Sequence, residues 1–519
     1  MDGTSPAAAA ILERVLAYLD GKSVAACAGV NKPWHALATL QSARRIECHV
    51  AQLPLRIARS RRRGLLGSVR EVDVDVSFPD GFLAARQYER RLQDAARALQ
   101  GAGHVRRLRL HAAALGAAPS DDEIRFGALA VRVLADALPG VAALDVGDCP
   151  AALLARGQFA GLRRLRRLRW FALGRNDRSS AAALAHVVAA NVATLAELDA
   201  RADVSDRVAR MLCGAPHLAR LNASGSPLSD DALLALVRAR GARITHLELS
   251  DCARLTRLSV GQLTPRLLPR LAALDLYNVA AGMDTYAAVF HAHAHWPCLR
   301  DLKLKPVAAA PRRLGRAGDE MLEAIASNCP RLVALRLFGC HGITDAGLSA
   351  VLGSLGHLRE LVVMHQPEDP VALDGDDSPE PPAQGAAAST DTNAAPGGLL
   401  LSLPSINDLW ASMPALPSNA LPQHTRNRAP AAAPDTPCLS DQPTSAGHRP
   451  FTSQALRRGV RSQRFNLLNL DMAYDSACAE HLAKLSHLHT LCGRVITRHA
   501  KALLESQFPK CKMMVWNID

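Results

Sequence analysis

The chain has 519 residues, is 49% hydrophobic but only 4% aromatic, and has a formal net charge of +13. This composition favours many small, similar layers of Leu and Ala over one aromatic-centred core. Charged residues interrupt the segment 11–19 and no apolar run reaches about 20 residues, so we predict neither a signal peptide nor a membrane span. The basic balance is compatible with nucleic-acid partners, but we attribute it to a compositional bias toward Arg. We expect a cytoplasmic location, a nuclear location, or both.

The first 43 residues predict a small helical module. Residues 1–10 are small and are expected to be disordered. Across 11–43, apolar residues recur at steps of three and four, which is typical of amphipathic helices. About forty residues bury too little surface to fold alone, so this apolar stripe requires a partner. The stripe consists of Ile11, Leu12, Val15, Leu16, Leu19, Val24, Val30 and Trp34.

Residues 44–68 are predicted to form a basic connector. The run Arg59–Arg63 reads RSRRR, which makes it a candidate nuclear-import signal or phosphate-contacting patch. A solvated connector is the alternative interpretation, and we favour it.

A recurring strand–turn–helix pattern occupies residues 69–365. In its clearest copy, alternate Leu side chains share one face of a short strand, and a run of Leu at helical spacing follows. A unit of this size cannot bury its apolar face alone and needs copies on both sides. The positions of this copy are Leu332, Leu335, Leu337 and Cys340 in the strand and turn, and Leu348, Leu352 and Leu355 in the helix.

Copies of this pattern recur at intervals of about 23 to 30 residues, and several have Cys at the ninth position, as at Cys149, Cys252 and Cys340. The pattern resembles the cysteine-containing leucine-rich repeats. The resemblance implies an α/β solenoid shaped as a horseshoe, with a parallel sheet on the concave side and helices on the convex side. We expect the thiols to pack as small apolar groups in a reducing compartment, without a disulfide framework.

The repeat pattern stops between residues 366 and 460. This segment is rich in Pro, Ala, Ser, Asp and Gly and cannot bury enough apolar surface to offset its ordering entropy, so we predict a long disordered insertion. Within it, Leu399–Leu416 is unusually apolar and is a candidate docking segment. Residues 461–519 are predicted to form the last repeats and a C-terminal cap.

The N-terminal stripe resembles an F-box. Its spacing is Ile11-Leu12-x-x-Val15-Leu16-x-Tyr18-Leu19-Asp20, followed by Val24 and by Val30-x-x-x-Trp34. It stands directly before repeats of the type that accompanies F-boxes. The resemblance implies a non-catalytic, substrate-recognition subunit of an SCF-type ubiquitin ligase, bound through this stripe to the adaptor subunit and through the adaptor to a cullin. The alternative is a helical cap on the first repeat.

The predicted concave face provides the candidate target-binding residues. Side chains between the strand Leu residues point to this face, which is the usual binding surface of a solenoid. We predict an early basic sector, a middle acidic sector and a late basic sector, with unlike charges paired across strands and two aromatic anchors. Mixed charge suits a protein target better than a nucleic-acid backbone. The residues are Arg169, Asp199, Asn222, Glu248, Asp275, Tyr277, Lys303, Arg336 and Phe338.

Motifs of catalysis and cofactor binding are not found in the sequence. Gly21–Ser23 ends like a phosphate-binding loop, but Leu16 stands where that loop needs a glycine. The cluster from His291 to Cys298 has metal-ligand residue types without a second ligand group. We therefore expect a ligase receptor without enzymatic activity, metal or cofactor, with an unknown protein target. The alternatives are a leucine-rich-repeat scaffold without ligase attachment and, third, RNA binding through the Arg patches.

Overall fold

A computed structural model of the chain describes most of the repeat region. The F-box-like module, apart from residues 26–27, lies outside the described residues, as does the insertion predicted at 366–460. The described residues are 26–27, 44–77, 82–100, 102–112, 120–154, 157–170, 178–291, 295–306, 317–340, 343–364, 464–469, 473–474, 482–483, 485, 487–496 and 498–518.

The described strands form one parallel sheet of sixteen strands. Strands that follow one another in the chain are neighbours in the sheet as far as the thirteenth strand, and the fifteenth then pairs with the thirteenth, fourteenth and sixteenth. In chain order they are β1 (Arg45–His49), β2 (Glu71–Asp75), β3 (Arg107–His111), β4 (Ala143–Asp148), β5 (Arg167–Arg169), β6 (Glu197–Asp199), β7 (Arg220–Asn222), β8 (His246–Glu248), β9 (Ala273–Tyr277), β10 (Asp301–Lys305), β11 (Ala334–Phe338), β12 (Glu360–Met364), β13 (Arg464–Asn469), β14 (Ala473–Tyr474), β15 (His487–Ile496) and β16 (Lys512–Ile518).

A helix connects most pairs of successive strands up to β12, and neighbouring helices pack against one another in chain order. This alternation is the arrangement that parallel strands require, because each return to the same end of the sheet needs a crossover. The helices are α1 (Leu53–Arg62), α2 (Phe82–Leu99), α3 (Asp121–Ala137), α4 (Arg178–Asn191), α5 (Asp206–Leu212), α6 (Asp230–Arg240), α7 (Arg257–Val260), α8 (Met283–Phe290), α9 (Ala317–Asn328), α10 (Asp345–Ser354) and α11 (Arg498–Gln507).

The strand Leu residues form the inner rows of the solenoid, as their two-residue period predicts. Leu274, Leu302, Leu335 and Leu361 occupy the same register position in four adjacent strands, and each is at most 1% exposed. Each fully buried Leu stabilises the fold by roughly 1.5–3 kcal/mol. Stabilisation is therefore distributed along the repeats, and the leucine-rich-repeat solenoid predicted from the sequence is confirmed.

The repeats begin earlier than the sequence predicted. Residues 44–68, predicted to be a basic connector, contain β1 and α1 instead, and β1 pairs in parallel with β2. Ile46, Leu53 and Ile57 are buried in the core of this first repeat. The many Arg side chains on its outer surface hide the short apolar pattern in the sequence.

Buried cysteines occupy the turn after the strand in several repeats. Cys149 donates its thiol hydrogen to the Leu110 carbonyl at 3.2 Å, and Cys252 donates to the Ala223 carbonyl at 3.1 Å. In both cases the acceptor belongs to the preceding repeat. Burial raises the pKa of Cys252 to about 11, so the thiol stays protonated and acts as a small, weakly donating core group, as predicted.

A ladder of helix caps links neighbouring repeats. Asp319, in the first turn of α9, accepts hydrogen bonds from the backbone N–H of Thr344 at 2.7 Å and from its hydroxyl at 2.5 Å. Thr344 is itself the N-cap of α10. Asp206 holds Ser229 before α6 in the same way, and Asp230 holds Thr256 before α7. The first turn of each of these helices thus fixes the start of the next.

The described C-terminal strands continue the same sheet. β13 adds to β12, and β16 closes against β15 with Leu491 opposite Met513. Among the described helices, no segment combines the length and the hydropathy required to cross a bilayer.

Candidate target-binding surface

The outward side chains of the strands form rows across the sheet. We call this surface the sheet face, and the row between the two inner Leu rows the central row. The registers place each residue of the central row directly opposite the next, about 4.8 Å apart. The row runs Arg109, Asp145, Arg169, Asp199, Asn222, Glu248, Asp275, Lys303, Arg336 and Val362.

Asp73 is the centre of the first charge cluster on the sheet face. Asp73 is only 1% exposed. Arg45 donates a hydrogen bond to its carboxylate, and His111 Nε2 lies 3.3 Å from the same carboxylate. Arg109 approaches the same carboxylate at 3.8 Å and also donates to Asp148 at 2.7 Å. The positive charge of this early sector is therefore largely neutralised within the solenoid.

The next strands repeat this neutralisation. Arg169 lies between Asp145, at 3.4 Å, and Asp199, at 3.8 Å. In the row beside it, Arg167 lies 3.2 Å from Glu197. These pairs are part-exposed and each contributes at most about 1 kcal/mol. Their main effect is to leave little free charge in the sector that the sequence predicted to be basic.

Glu248 is the most perturbed acidic residue of the sheet face. It stands between Asn222 and Asp275 in the central row. Burial, with the nearby carboxylates of Asp275 and Asp199, raises the pKa of Glu248 to about 7, while Arg201 acts in the opposite direction. Burial also raises the pKa of Asp199. The middle sector is therefore acidic, as predicted, but its carboxylates repel one another.

A Glu248→Gln variant is expected to stabilise the protein by about 1–2 kcal/mol at pH 8 and to be neutral near pH 5. A carboxyl with a raised folded-state pKa retains its proton longer when folded, so wild-type stability falls as pH rises from about 4.5 to about 7. Urea denaturation at both pH values measures the difference. Glu323→Gln, at an exposed position of α9, is the control. Equal effects of Glu248→Gln at both pH values would contradict the assignment.

An aromatic and cationic cluster lies at the strand ends of the late sector. The rings of Tyr277 and Phe338 meet edge to face, with centroids 5.2 Å apart. Lys303 and Lys305 lie over the Tyr277 ring at 4.6 and 4.9 Å. Lys303 also lies 3.2 Å from Asp275, which confirms the cross-strand pair predicted from the sequence. Among the described residues, Lys305 has no acidic partner, so its charge remains available to a ligand.

Arg336 differs from its neighbours because each of its three guanidinium nitrogens donates a hydrogen bond to a carboxylate. It donates two hydrogen bonds to the Glu360 carboxylate, at 2.7 and 2.8 Å, and one to Asp301 at 2.8 Å. Its side chain is 23% exposed. Arg336 was predicted to contact a target, but three of its five N–H groups donate to carboxylates of the two adjacent strands. Its role in target binding stays a prediction, and its role in joining β10, β11 and β12 is visible.

The structure thus brings together the nine residues predicted to bind a target, in the predicted row or beside it. It adds residues that the sequence did not single out, above all Asp73, Asp148, Asp301 and Glu360. The strand period could have found the last two, since both are the first outward residue of their strands. The predicted adaptor contacts lie outside the described residues: Ile11, Leu12, Val15, Leu16, Leu19, Val24, Val30 and Trp34. In the described part of the chain, no group of three or more His, Cys, Asp or Glu side chains is placed to hold a metal ion.

The repeated strand–helix unit, the buried Leu rows and the outward charged row define a leucine-rich-repeat protein. No family model matches the chain. Over 93 residues it is 33% identical to a transport inhibitor response 1-like protein of Oryza sativa subsp. japonica, a match that covers 18% of this chain and 14% of the relative.

Two solved structures also resemble the chain at low similarity. A chain of the Rad7 and Elc1 complex of yeast is 13% identical with a TM-score of 0.37, and the match covers 69% of this chain and 81% of that one. A leucine-rich-repeat protein of Leptospira interrogans is 12% identical with a TM-score of 0.31, over 88% of this chain and 97% of that one.

Proposed function

We propose that this protein is the substrate-recognition subunit of an SCF-type ubiquitin ligase and works in the cytoplasm, the nucleus or both. The observation that supports this most is the sheet face, an extended surface of mixed charge with a half-exposed aromatic cluster and with Lys305, which has no acidic partner among the described residues. Such a surface suits a protein ligand. The F-box-like stripe at residues 11–34 supplies the second attachment, to the adaptor subunit and through it to a cullin.

The placement of the first repeat supports a joined arrangement of the two binding regions. Because β1 begins at Arg45, the F-box-like segment that ends at residue 43 leads into the repeats with almost no connector in the sequence. A target held on the repeats would then be kept close to a catalytic arm that the ligase supplies. The contribution of this chain is effective concentration, and no bond is made or broken by its own residues.

On the sheet face, we propose that the target docks chiefly at the aromatic and cationic cluster of Tyr277, Lys305 and Phe338. Most charges of the central row beside this cluster are paired with one another within the solenoid. They therefore disfavour ligands of mismatched charge more than they attract a ligand. Tyr277 and Phe338 provide amphipathic and apolar contact area, and Lys305 favours an acidic residue on the target.

Adaptor binding is the direct test of this function. Leu16→Asp combined with Trp34→Ala removes two members of the apolar stripe, and we expect it to abolish pull-down of purified adaptor while the repeats keep their circular dichroism and unfolding midpoint. The matched control is Glu13→Ala with Arg14→Ala, which alters the same segment but spares the stripe. If the wild-type chain does not bind purified adaptor either, the protein is a leucine-rich-repeat scaffold without ligase attachment.

A further inference from the structure

One edge of the solenoid carries cations in the turns before β2, β3, β5 and each of the strands β8 to β12, whereas the turns before β4, β6 and β7 have neither Lys nor Arg. The turns that lead from a helix, or before β5 from the 3-10 turn Ala151–Leu153, into the strands β2 to β12 contain no Asp or Glu. We call this surface the basic edge. All of its cations are exposed except Arg359, which is half-exposed. They are Arg63, Arg70, Arg106, Arg163, Arg164, Arg166, Arg243, Arg266, Arg270, Arg300, Arg331 and Arg359.

The cations of the basic edge have no carboxylate partner among the described residues. Arg106 donates only to the Gly140 carbonyl at 3.1 Å, and Arg70 only to backbone carbonyls of its own turn. One position further along, at the start of the strands, the situation reverses. Arg107 lies 3.6 Å from Glu71, and Arg167 lies 3.2 Å from Glu197. Most Arg charges of the sheet face are compensated by carboxylates, whereas those of the edge are not.

Composition alone does not explain this separation. The chain has 61 Lys and Arg against 48 Asp and Glu, so a random distribution would place acidic residues in these turns as well. At the opposite edge acidic residues do occur, and there Asp206, Asp230 and Asp319 accept hydrogen bonds from the N-cap residues of the next helices. The helix dipole favours cations only within about the last turn of a helix. Arg300 and Arg331 lie beyond the ends of α8 and α9.

We propose that the basic edge binds the phosphate backbone of a nucleic acid without sequence preference. The eleven strands from β2 to β12 span about 48 Å at about 4.8 Å per strand, which matches about 14 base pairs of duplex at about 3.4 Å each. Arg is the side chain best suited to paired hydrogen bonds with phosphate. The edge turns contain none of the exposed large apolar side chains of the described residues, which are Leu55, Leu258 and Met514, so the edge lacks the apolar contacts that insertion into a membrane uses.

This site goes beyond the ligase function and does not depend on it. The sheet face has alternating charge, which suits a nucleic-acid backbone less well than an uninterrupted basic surface does. The basic edge is a different surface, formed by turns that are far apart in the sequence. A variant with Leu16→Asp and Trp34→Ala should therefore bind nucleic acid like the wild type.

The test uses the full chain and a fluorescently labelled DNA duplex of about 20 base pairs, with binding followed by anisotropy between about 50 and 200 mM salt. The edge variant replaces Arg270, Arg300 and Arg331 by Gln, at three successive strands. Each lost phosphate contact lowers the slope of log affinity against log salt by about 0.9, so we expect the slope to fall by about 2–3 and the affinity at about 100 mM salt to fall at least about tenfold.

The matched control replaces Arg125, Arg207 and Arg257 by Gln, three exposed cations on helices, and changes the net charge equally. Wild-type binding that the edge variant loses and the control retains supports the proposal. No binding at about 50 mM salt overturns it. Equal losses in the two variants overturn it too, because diffuse attraction to a basic protein would then suffice. Binding to phosphatidylserine vesicles without binding to the duplex assigns the edge to a membrane and also overturns it.

Discussion

An Arg336→Ala variant is expected to lose about 2–4 kcal/mol of unfolding free energy. Arg336 provides the only described cation between the carboxylates of Asp301 and Glu360, and it makes three hydrogen bonds to them. Exposed ion pairs contribute at most about 1 kcal/mol, whereas breaking a buried pair costs about 3–5 kcal/mol because a charge is left without a partner. With the side chains of Arg336 and Glu360 23% and 20% exposed, the expected loss lies between these limits.

Urea denaturation of Arg336→Ala, with Arg331→Ala as control, measures this loss. Arg331 precedes the same strand, is exposed and has no carboxylate partner among the described residues, so its removal should change stability by less than about 0.5 kcal/mol. Adding Glu360→Gln to Arg336→Ala removes one of the two carboxylate charges that the first substitution leaves without a cation. The double variant should therefore recover part of the lost stability. If Arg336→Ala and Arg331→Ala are equally stable, the three hydrogen bonds contribute nothing to the fold.

The repeats could be predicted from the sequence because their signal is local. The spacing of Leu332, Leu335 and Leu337 fixes which side chains are buried, and the same spacing recurs in each copy. The first repeat was missed because its short apolar pattern is obscured by Arg residues, and the two-residue period is weak evidence over so few positions. The helical caps at Thr344 and Ser229 follow residue types that favour helix starts.

The order of the central row was also accessible from the sequence, since a two-residue period places every outward residue once the Leu rows are aligned. The ion pairs were accessible only where they join directly opposite residues, as with Asp275 and Lys303. Arg336 reaches diagonally to the first outward position of two strands, and that reach depends on rotamers that no sequence pattern encodes. The raised pKa of Glu248 likewise depends on burial and on two carboxylates from other repeats.

The basic edge can be recognised only when the same turn is compared across all repeats. Its Arg residues come from separate turns, each of which looks unremarkable in the sequence. Arg300 and Arg331 become neighbours only because β10 and β11 pair in register. A solenoid converts a weak preference repeated in most of its units into an extended surface, so charge must be compared by position in the repeat to reveal it.

A Gly347→Ala variant is expected to destabilise the protein by about 2 kcal/mol, although Ala is the better helix former. A Cβ at Gly347 would lie 2.4 Å from Asp319 Oδ1 and 3.0 Å from the Asp319 Cα. Asp319 is the residue that caps α10 by accepting from Thr344, and it also accepts from the Gly347 N–H at 3.2 Å. The added methyl group must displace this carboxylate or separate α9 from α10. Overpacking and cap loss together cost about 2–4 kcal/mol, which exceeds the gain of about 1 kcal/mol in helix propensity.

The same helix supplies the control. Gly353 also lies within α10, but a Cβ there would meet nothing within 4 Å. Gly353→Ala should therefore stabilise the protein by about 0.5–1 kcal/mol, through helix propensity alone. Thermal unfolding of the two variants thus gives shifts of opposite sign from one chemical change in one helix. Two shifts of the same sign would show that Asp319 does not hold α10 against α9, and the capping ladder would lose its energetic role in joining the repeats.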